Sequence, residues 1–280
     1  MGMKKNRLSV SLQLVFTLLV CAFMVIPVLM SALAGVTVNY FVGIESGLTF
    51  RWIIAVWHGY GDTIFLSIGI ALACLACTLV LGVPAAYVLA RSKSRITRVF
   101  EEMLMLPIAV PGLATALALI SVFGGMGEFR SSWTFILVGH VLFTLPFMVR
   151  AVLAVMQALD VKTLEEGAAS LGAGPMQRFF HVILPNCRNG IVAGALMVIT
   201  LSVGEFNLTW LLHTPYTKTL PVGLADAYAS MRLEVGSAYT LIFFVLIVPL
   251  LLATQALARP RHRKFVRDDV TVTSLSPLKS

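Results

Sequence analysis

Six apolar runs, each long enough to cross a lipid bilayer, limit what this chain can fold into. A crossing helix needs about 20 apolar residues, because about 30 Å of hydrocarbon is traversed at about 1.5 Å per residue. The runs extend from Leu8 to Val36, Thr63 to Ala90, Met103 to Phe123, Trp133 to Val155, Asn189 to Leu212 and Ser237 to Ala258. The expected fold class is all-α: a polytopic transmembrane helical bundle of six spans. The chain is 58% hydrophobic and 12% charged, whereas a soluble domain is about 45–50% apolar and about 25% charged. A water-soluble fold cannot hide that much apolar surface, so the excess must face lipid.

Lys and Arg in the connections set the orientation, since they concentrate on the cytoplasmic side. Seventeen of the 21 flank the runs on one side, and four (Arg51, Arg130, Lys218 and Arg232) on the other. The rich side reads as cytoplasmic, so both termini are expected there; an odd number of spans would scramble the asymmetry. In a soluble protein a net charge of +8 would raise nucleic acid as a partner. Here the bases lie beside apolar runs and topology accounts for them, so the expected surroundings are membrane lipid, with no nucleic acid.

The first run has a rival reading. Lys4, Lys5 and Arg7, an apolar stretch and Ala32-x-Ala34 resemble a signal peptide with its cleavage site. The stretch exceeds the usual h-region of about 7–15 residues, so a retained span is preferred, and cleavage would leave the remaining topology unchanged. Of the cysteines Cys21, Cys74, Cys77 and Cys187, three lie in apolar runs and the fourth beside basic residues, which gives no disulfide framework. Cys74-x-x-Cys77 has half the spacing of a zinc site; two small residues inside a membrane helix is the stronger reading, and no metal is expected. Pro27, Pro84, Pro107, Pro111, Pro146 and Pro249 punctuate the runs and can kink them, for packing or as hinges. Gly190-x-x-x-Gly194 lets two helix backbones approach.

The connection between the fourth and fifth runs, about 157–188, is far longer than the usual bundle loop of about 2–8 residues. It reads as two short helices. Thr163-Leu-Glu-Glu166 has the capping-box pattern, with Thr163 at the N-cap and Glu166 at N3. Gly172 can stop that helix in the left-handed conformation. Gly174-Pro175 restarts a helix with Pro at N1. Phe179, Phe180, Val182, Ile183 and Leu184 give an apolar face, and Pro185 ends it. Physically, the pair is either a knob for docking into a cleft on a partner or an interfacial helix lying on the inner leaflet.

Glu166-Gly167-Ala168-x3-Gly172-x9-Val182-Ile183-Leu184-Pro185 closely resembles the EAA loop of permeases from binding-protein-dependent ABC importers of type I. That family's pattern is Glu-Ala-Ala-x3-Gly-x9-Ile-x-Leu-Pro. Gly167 stands in place of the first Ala and Val182 in place of the Ile; both changes are small. Leu164-Glu165 before the motif and Leu171-Gly172-Ala173 within it are similar to the family as well. The resemblance covers roughly 63–258. It implies a division into an N-terminal span with an external segment (1–62), the importer core (63–258) and a basic cytoplasmic tail without fixed structure (259–280).

The resemblance further implies that this loop docks in a groove of a separate ATPase subunit. Glu165, Glu166, Gly167, Ala168, Leu171, Gly172, Ala173, Leu184 and Pro185 would form the coupling element. A phosphate loop needs Gly-x4-Gly-Lys-Ser/Thr, and no Lys follows a Gly in this chain. ATP and Mg would therefore sit on the partner ATPase, with no cofactor on this chain. The implied assembly adds a second permease subunit and an external or periplasmic solute-binding protein, in a bacterial inner membrane.

Glu205, in Ser202-Val-Gly-Glu-Phe-Asn-Leu-Thr209, is the leading candidate for the solute path, because an ionisable group inside a span is costly and usually faces the bundle interior. Asn207 and Thr209 are weaker candidates, and His140 reads as a packed, hydrogen-bonded helix histidine. Gly204-Glu205-Phe206 is similar to permeases for polyamines, phosphonates, ferric iron, thiamine and sulfate; the run as a whole most resembles spermidine/putrescine and 2-aminoethylphosphonate permeases. A carboxylate suits an amine-bearing solute. The alternative is a self-powered secondary transporter, which would show several charges deep in its spans and internal repeats. A membrane enzyme would show clustered ligands such as His-Glu-x-x-His.

Overall fold

The computed structural model describes residues 2–92 and 94–258, and every described element of regular length is helical. The helices are α1 (Gly2–Ala34), α2 (Arg51–Arg91), α3 (Arg95–Ala109), α4 (Gly112–Phe123), α5 (Gly127–Ser131) and α6 (Trp133–Ala158). They continue with α7 (Val161–Ser170), α8 (Pro175–Asn186), α9 (Arg188–Val203), α10 (Asn207–Leu212), α11 (Leu220–Ala229) and α12 (Leu233–Ala258). Among the described residues, four stretches are long and apolar enough to cross a membrane unbroken: Ser9–Ala34, Arg51–Arg91, Trp133–Ala158 and Leu233–Ala253. The count rises to six if two bent helix pairs, α3–α4 at 102° and α8–α9 at 71°, are each one span. The basic tail lies outside the described residues, as does Lys93.

The third apolar run does not cross as one rod. α3 and α4 meet at 102°. Pro111 lacks an N–H and excludes its predecessor from the helical region, and Val110 is accordingly extended at φ −87°, ψ 130°. Upstream, Ser94 caps α3 by accepting the Thr97 N–H, a bond of the kind that fixes a helix start. The fifth run is broken too: α9 ends at Val203, and α10 begins only at Asn207. The second run instead extends further than expected, back to Arg51, with a kink at Tyr60 (φ −139°, ψ 15°).

The bundle centre is formed by α2, α6, α9 and α12, with α1 laid against α12 and α3 against α6. Near the Arg91 end of α2, Val83, Ala86 and Leu89 pack on Val149, Val152, Leu153 and Met156 of α6 and on Ile183 of α8. Toward the other end, Ile70 of α2 meets Ala116 and Leu119 of α4, Phe135 and Ile136 of α6, and Leu208 and Leu212 of α10. Cys74 is buried with its Sγ 3.1 Å from Thr144 Oγ1 of α6. Among the described residues, no three His, Cys, Asp or Glu side chains converge as a metal site.

The four cations of the Lys/Arg-poor set are each held internally. Arg51 donates to Val38 O at 3.3 Å, and Arg130 to Leu212 O at 2.8 Å and Leu211 O at 3.3 Å. Arg232 donates to the Tyr60 hydroxyl. Lys218 donates to Asp226 Oδ2 at 2.8 Å, which holds that carboxyl below its ordinary range.

Candidate functional site

Helices α7 and α8 form a hairpin at the Arg91 end of the bundle. Its turn is built by Gly172, at φ +84°, a left-handed conformation that glycine adopts without a Cβ penalty. Gly172 N–H donates to Ala169 O at 2.9 Å, and Ala173 N–H to Ala168 O at 3.1 Å. This is the Schellman arrangement, and it satisfies carbonyls that a helix end otherwise leaves open. The second limb starts at Pro175 as expected, with the Gln177 side chain accepting Gly174 N–H at 2.9 Å. Its middle, Arg178–Ile183, is π-helical. Pro185 does not terminate the limb, which runs to Asn186.

The expected capping box is not formed. Asp160, at φ 46°, precedes the first helical residue, and the Thr163 hydroxyl donates to Asp160 Oδ2 at 2.7 Å. The helix thus begins two residues before Thr163, and this sets which face each following side chain occupies. Glu166 is exposed and lies 3.9 Å from Lys162, a surface pair of little energetic weight. Gly167 and Gly172 face open space, and Leu171 is 89% and Met176 72% exposed. Ala168, Ala173 and Leu184 are half-buried and Pro185 is exposed. Glu165 departs from this group: it points inward, 5% exposed, to Arg91 and Tyr87 of α2. Those two partners carried no local sequence signal, because they lie more than 70 residues away.

The second candidate region lies at the break between α9 and α10. Glu205 Oε1 accepts Leu208 N–H at 2.6 Å, which satisfies an amide at the start of α10. At the other end of α10, the Arg130 guanidinium takes the Leu211 and Leu212 carbonyls. A carboxylate at the start and a cation at the finish both complement the helix dipole. In between, His140 Nε2 lies 2.8 Å from Thr209 Oγ1, and His140 Nδ1 lies 2.8 Å from Ser202 Oγ near the end of α9. One fully buried imidazole therefore joins α6 to both sides of the break. Of the three candidate path residues, Glu205 is half-buried, Asn207 is exposed, and Thr209 is buried against His140. Hairpin and break occupy opposite ends of α6.

An all-helical bundle with long apolar helices, two of its apolar runs interrupted, and a helical hairpin at one pole fits a multi-spanning membrane protein. The family described as binding-protein-dependent transport system inner membrane component matches residues 79–263, and the chain belongs to it. It is a multi-pass inner-membrane permease subunit of a binding-protein-dependent ABC importer, not the ATPase of that system. The putrescine transport system permease protein PotI of Escherichia coli K12 is 27% identical over 271 residues, 91% of this chain and 94% of the relative. The sulfate transport system permease protein CysW of Synechocystis sp. is 27% identical over 224 residues, 75% of this chain and 81% of the relative. Among solved structures, a bacterial alginate ABC transporter bound to an alginate-loaded periplasmic protein gives a TM-score of 0.66 at 13% identity. It covers 92% of this chain and 96% of that one. The MetNI methionine ABC transporter in an inward-facing form gives 0.56 at 16% identity, covering 70% and 95%. At such identities these two establish the fold.

Proposed function

We propose that this permease subunit spans the membrane six times with both termini in the cytoplasm, and that the α7–α8 hairpin docks in a groove of a separate ATPase subunit. In this topology the bent α3–α4 is one span and the fifth is α9 with the broken α10, not α8 with α9, and 1–62, 63–258 and 259–280 are its N-terminal, core and tail parts. ATP and Mg belong to the ATPase, and no cofactor belongs to this chain. A second permease subunit completes the pathway, and an external solute-binding protein delivers the solute. Glu166, Gly167, Ala168, Leu171, Gly172, Ala173, Leu184 and Pro185 supply the docking element, with Glu165 behind it.

One observation carries this reading: the Schellman turn at Gly172 holds Leu171, Met176 and Glu166 uncovered on a compact tip. Large apolar side chains left bare on a rigid, well-bonded turn suit a protein partner. Co-purification with the ATPase subunits tests it. Wild type is expected to retain the ATPase in detergent, and Glu166→Lys and Gly172→Asp to lose it. An ATPase that stays bound to both variants, or that never binds wild type, overturns the reading.

The solute is proposed to be a small amine-bearing molecule, a polyamine or an aminoalkylphosphonate. Glu205 and Asn207 supply its polar contacts, and Thr209 holds α10 in place through His140. Two things support this: a half-buried carboxylate at the broken span, and a putrescine permease that aligns over 91% of the chain. Glu205→Gln keeps an oxygen to accept the Leu208 N–H and removes the charge. It is expected to leave the complex assembled and to lower putrescine uptake about tenfold, the effect of losing one charged contact of about 1.5 kcal/mol. Unchanged uptake kinetics would remove Glu205 from the path.

A further inference from the structure

Among the described residues Glu165 is the one buried carboxylate. It lies behind the exposed tip, on the side turned to α2. Arg91 Nε is 2.9 Å from Glu165 Oε2, and the Tyr87 hydroxyl donates to Glu165 Oε1. The Arg91 guanidinium lies 5.2 Å from the Tyr87 ring centre, and that ring lies 4.9 Å from the ring of Phe179 on α8. The cluster thus joins the last turn of α2 to both limbs of the hairpin.

Connectivity gives this its meaning. The hairpin is continuous with α6 through Leu159 and Asp160 and with α9 through Cys187. It has no chain connection to α2. A push on the hairpin reaches α6 and α9 along the backbone, but reaches α2 only through side chains. Only the Glu165 side of this pair is buried; the Arg91 side chain is 51% exposed, so solvent screens the attraction and the pair adds little stability, which leaves alignment of the two elements as its use. Arg91 is also the final residue of α2, just before the turn into α3, so a displacement there moves the bent third span as well.

We propose that Glu165 is a positioning residue that, through Arg91 and Tyr87, ties α2 to the movement of the coupling hairpin. This rests on the hairpin's being the ATPase-docking element. The ATPase side of the hairpin sets whether the complex forms; the Glu165 side sets whether its motion is transmitted to the pathway.

The test is a reconstituted complex of permease, ATPase and solute-binding protein in proteoliposomes, scored by solute imported per ATP hydrolysed. Glu165→Gln and Arg91→Glu are expected to co-purify with the ATPase and to hydrolyse ATP, while import per ATP falls about tenfold, within the usual span of coupling effects. The charge swap Arg91→Glu with Glu165→Arg is expected to recover part of that loss, which lost packing alone would not allow. Tyr87→Phe, the mildest change, is expected to show a smaller fall of the same kind. Wild-type coupling in both single variants overturns the proposal, as does a swap no better than the singles. Loss of ATPase binding in the singles also overturns it, by making the cluster a folding element. If wild type binds no ATPase, it is the docking reading that fails.

Discussion

Gly190→Leu is expected to abolish the folded permease. Gly190 opens α9 where it crosses α6, and a Cβ there would lie 2.8 Å from Ala151 O and 2.8 Å from Val155 Cγ2. One turn on, a Cβ at Gly194 would lie 2.8 Å from Met148 Sδ and 3.2 Å from Ala151 Cβ. Between membrane helices, close backbone approach through small residues replaces the hydrophobic drive that lipid removes. A leucine would have to displace a carbonyl fixed in the α6 backbone, which no rotamer change can do. Overpacking ordinarily costs about 1–3 kcal/mol, and an immovable backbone contact belongs at or above the top of that range. The expected result is loss of the monodisperse peak in detergent size-exclusion chromatography, with Gly190→Ala showing reduced yield. Wild-type yield and melting temperature for Gly190→Leu would mean that α6 and α9 do not meet as described.

His140→Ala is expected to be the most damaging change at the other end of α6. A neutral imidazole donates from one nitrogen and accepts at the other, and either hydroxyl can take either role. Removing the ring takes one partner from each of Ser202 and Thr209, both buried, and leaves a cavity, while Thr209 keeps its bond to Glu205 O at 3.2 Å. A single interhelical polar pair in a membrane is worth about 0.6 kcal/mol on average, so the bonds alone would be a modest loss. The cavity dominates: truncation of a large buried side chain costs about 2–5 kcal/mol. His140→Asn, which can keep one partner and part of the volume, is expected to fall between. Hydrogen exchange checks this directly. Amides of 204–212 should exchange faster in His140→Ala, while those of the hairpin keep their protection. Uniform change, or none, would contradict a local role.

The apolar runs made most of the bundle legible, because lipid exposure leaves its mark residue by residue. Trp133–Ala158 and Leu233–Ala258 differ from their expected bounds by only a few residues. The breaks were harder. Pro111 was visible as a kink site, but the size of the bend depends on Val110 becoming extended and on where α4 packs. Nothing local marks Gly204–Phe206 as a break, since Glu205, Arg130 and His140 support α10 from different parts of the chain.

Gly172 was legible because the left-handed conformation singles out one residue type. The start of α7 was not, because Asp160 and Thr163 can each cap a helix and only the fold decides between them. That choice also determined that Glu165, and not its neighbour Glu166, faces inward.

The shortness of α10 has a consequence of its own. A helix of six residues cannot persist in isolation, because nucleation is unfavourable and even Ala-rich peptides need about 12–15 residues to be marginally helical. Its order is therefore lent by its surroundings: Glu205 at one end, Arg130 at the other, His140 along its side, and Leu208 and Leu212 buried against α4 and α6. Loss of any one of these contacts therefore costs so short a helix a larger share of its order than it would cost a long one. If Glu205 engages solute as proposed, a solute that turns its carboxylate away from the Leu208 amide would loosen the start of α10.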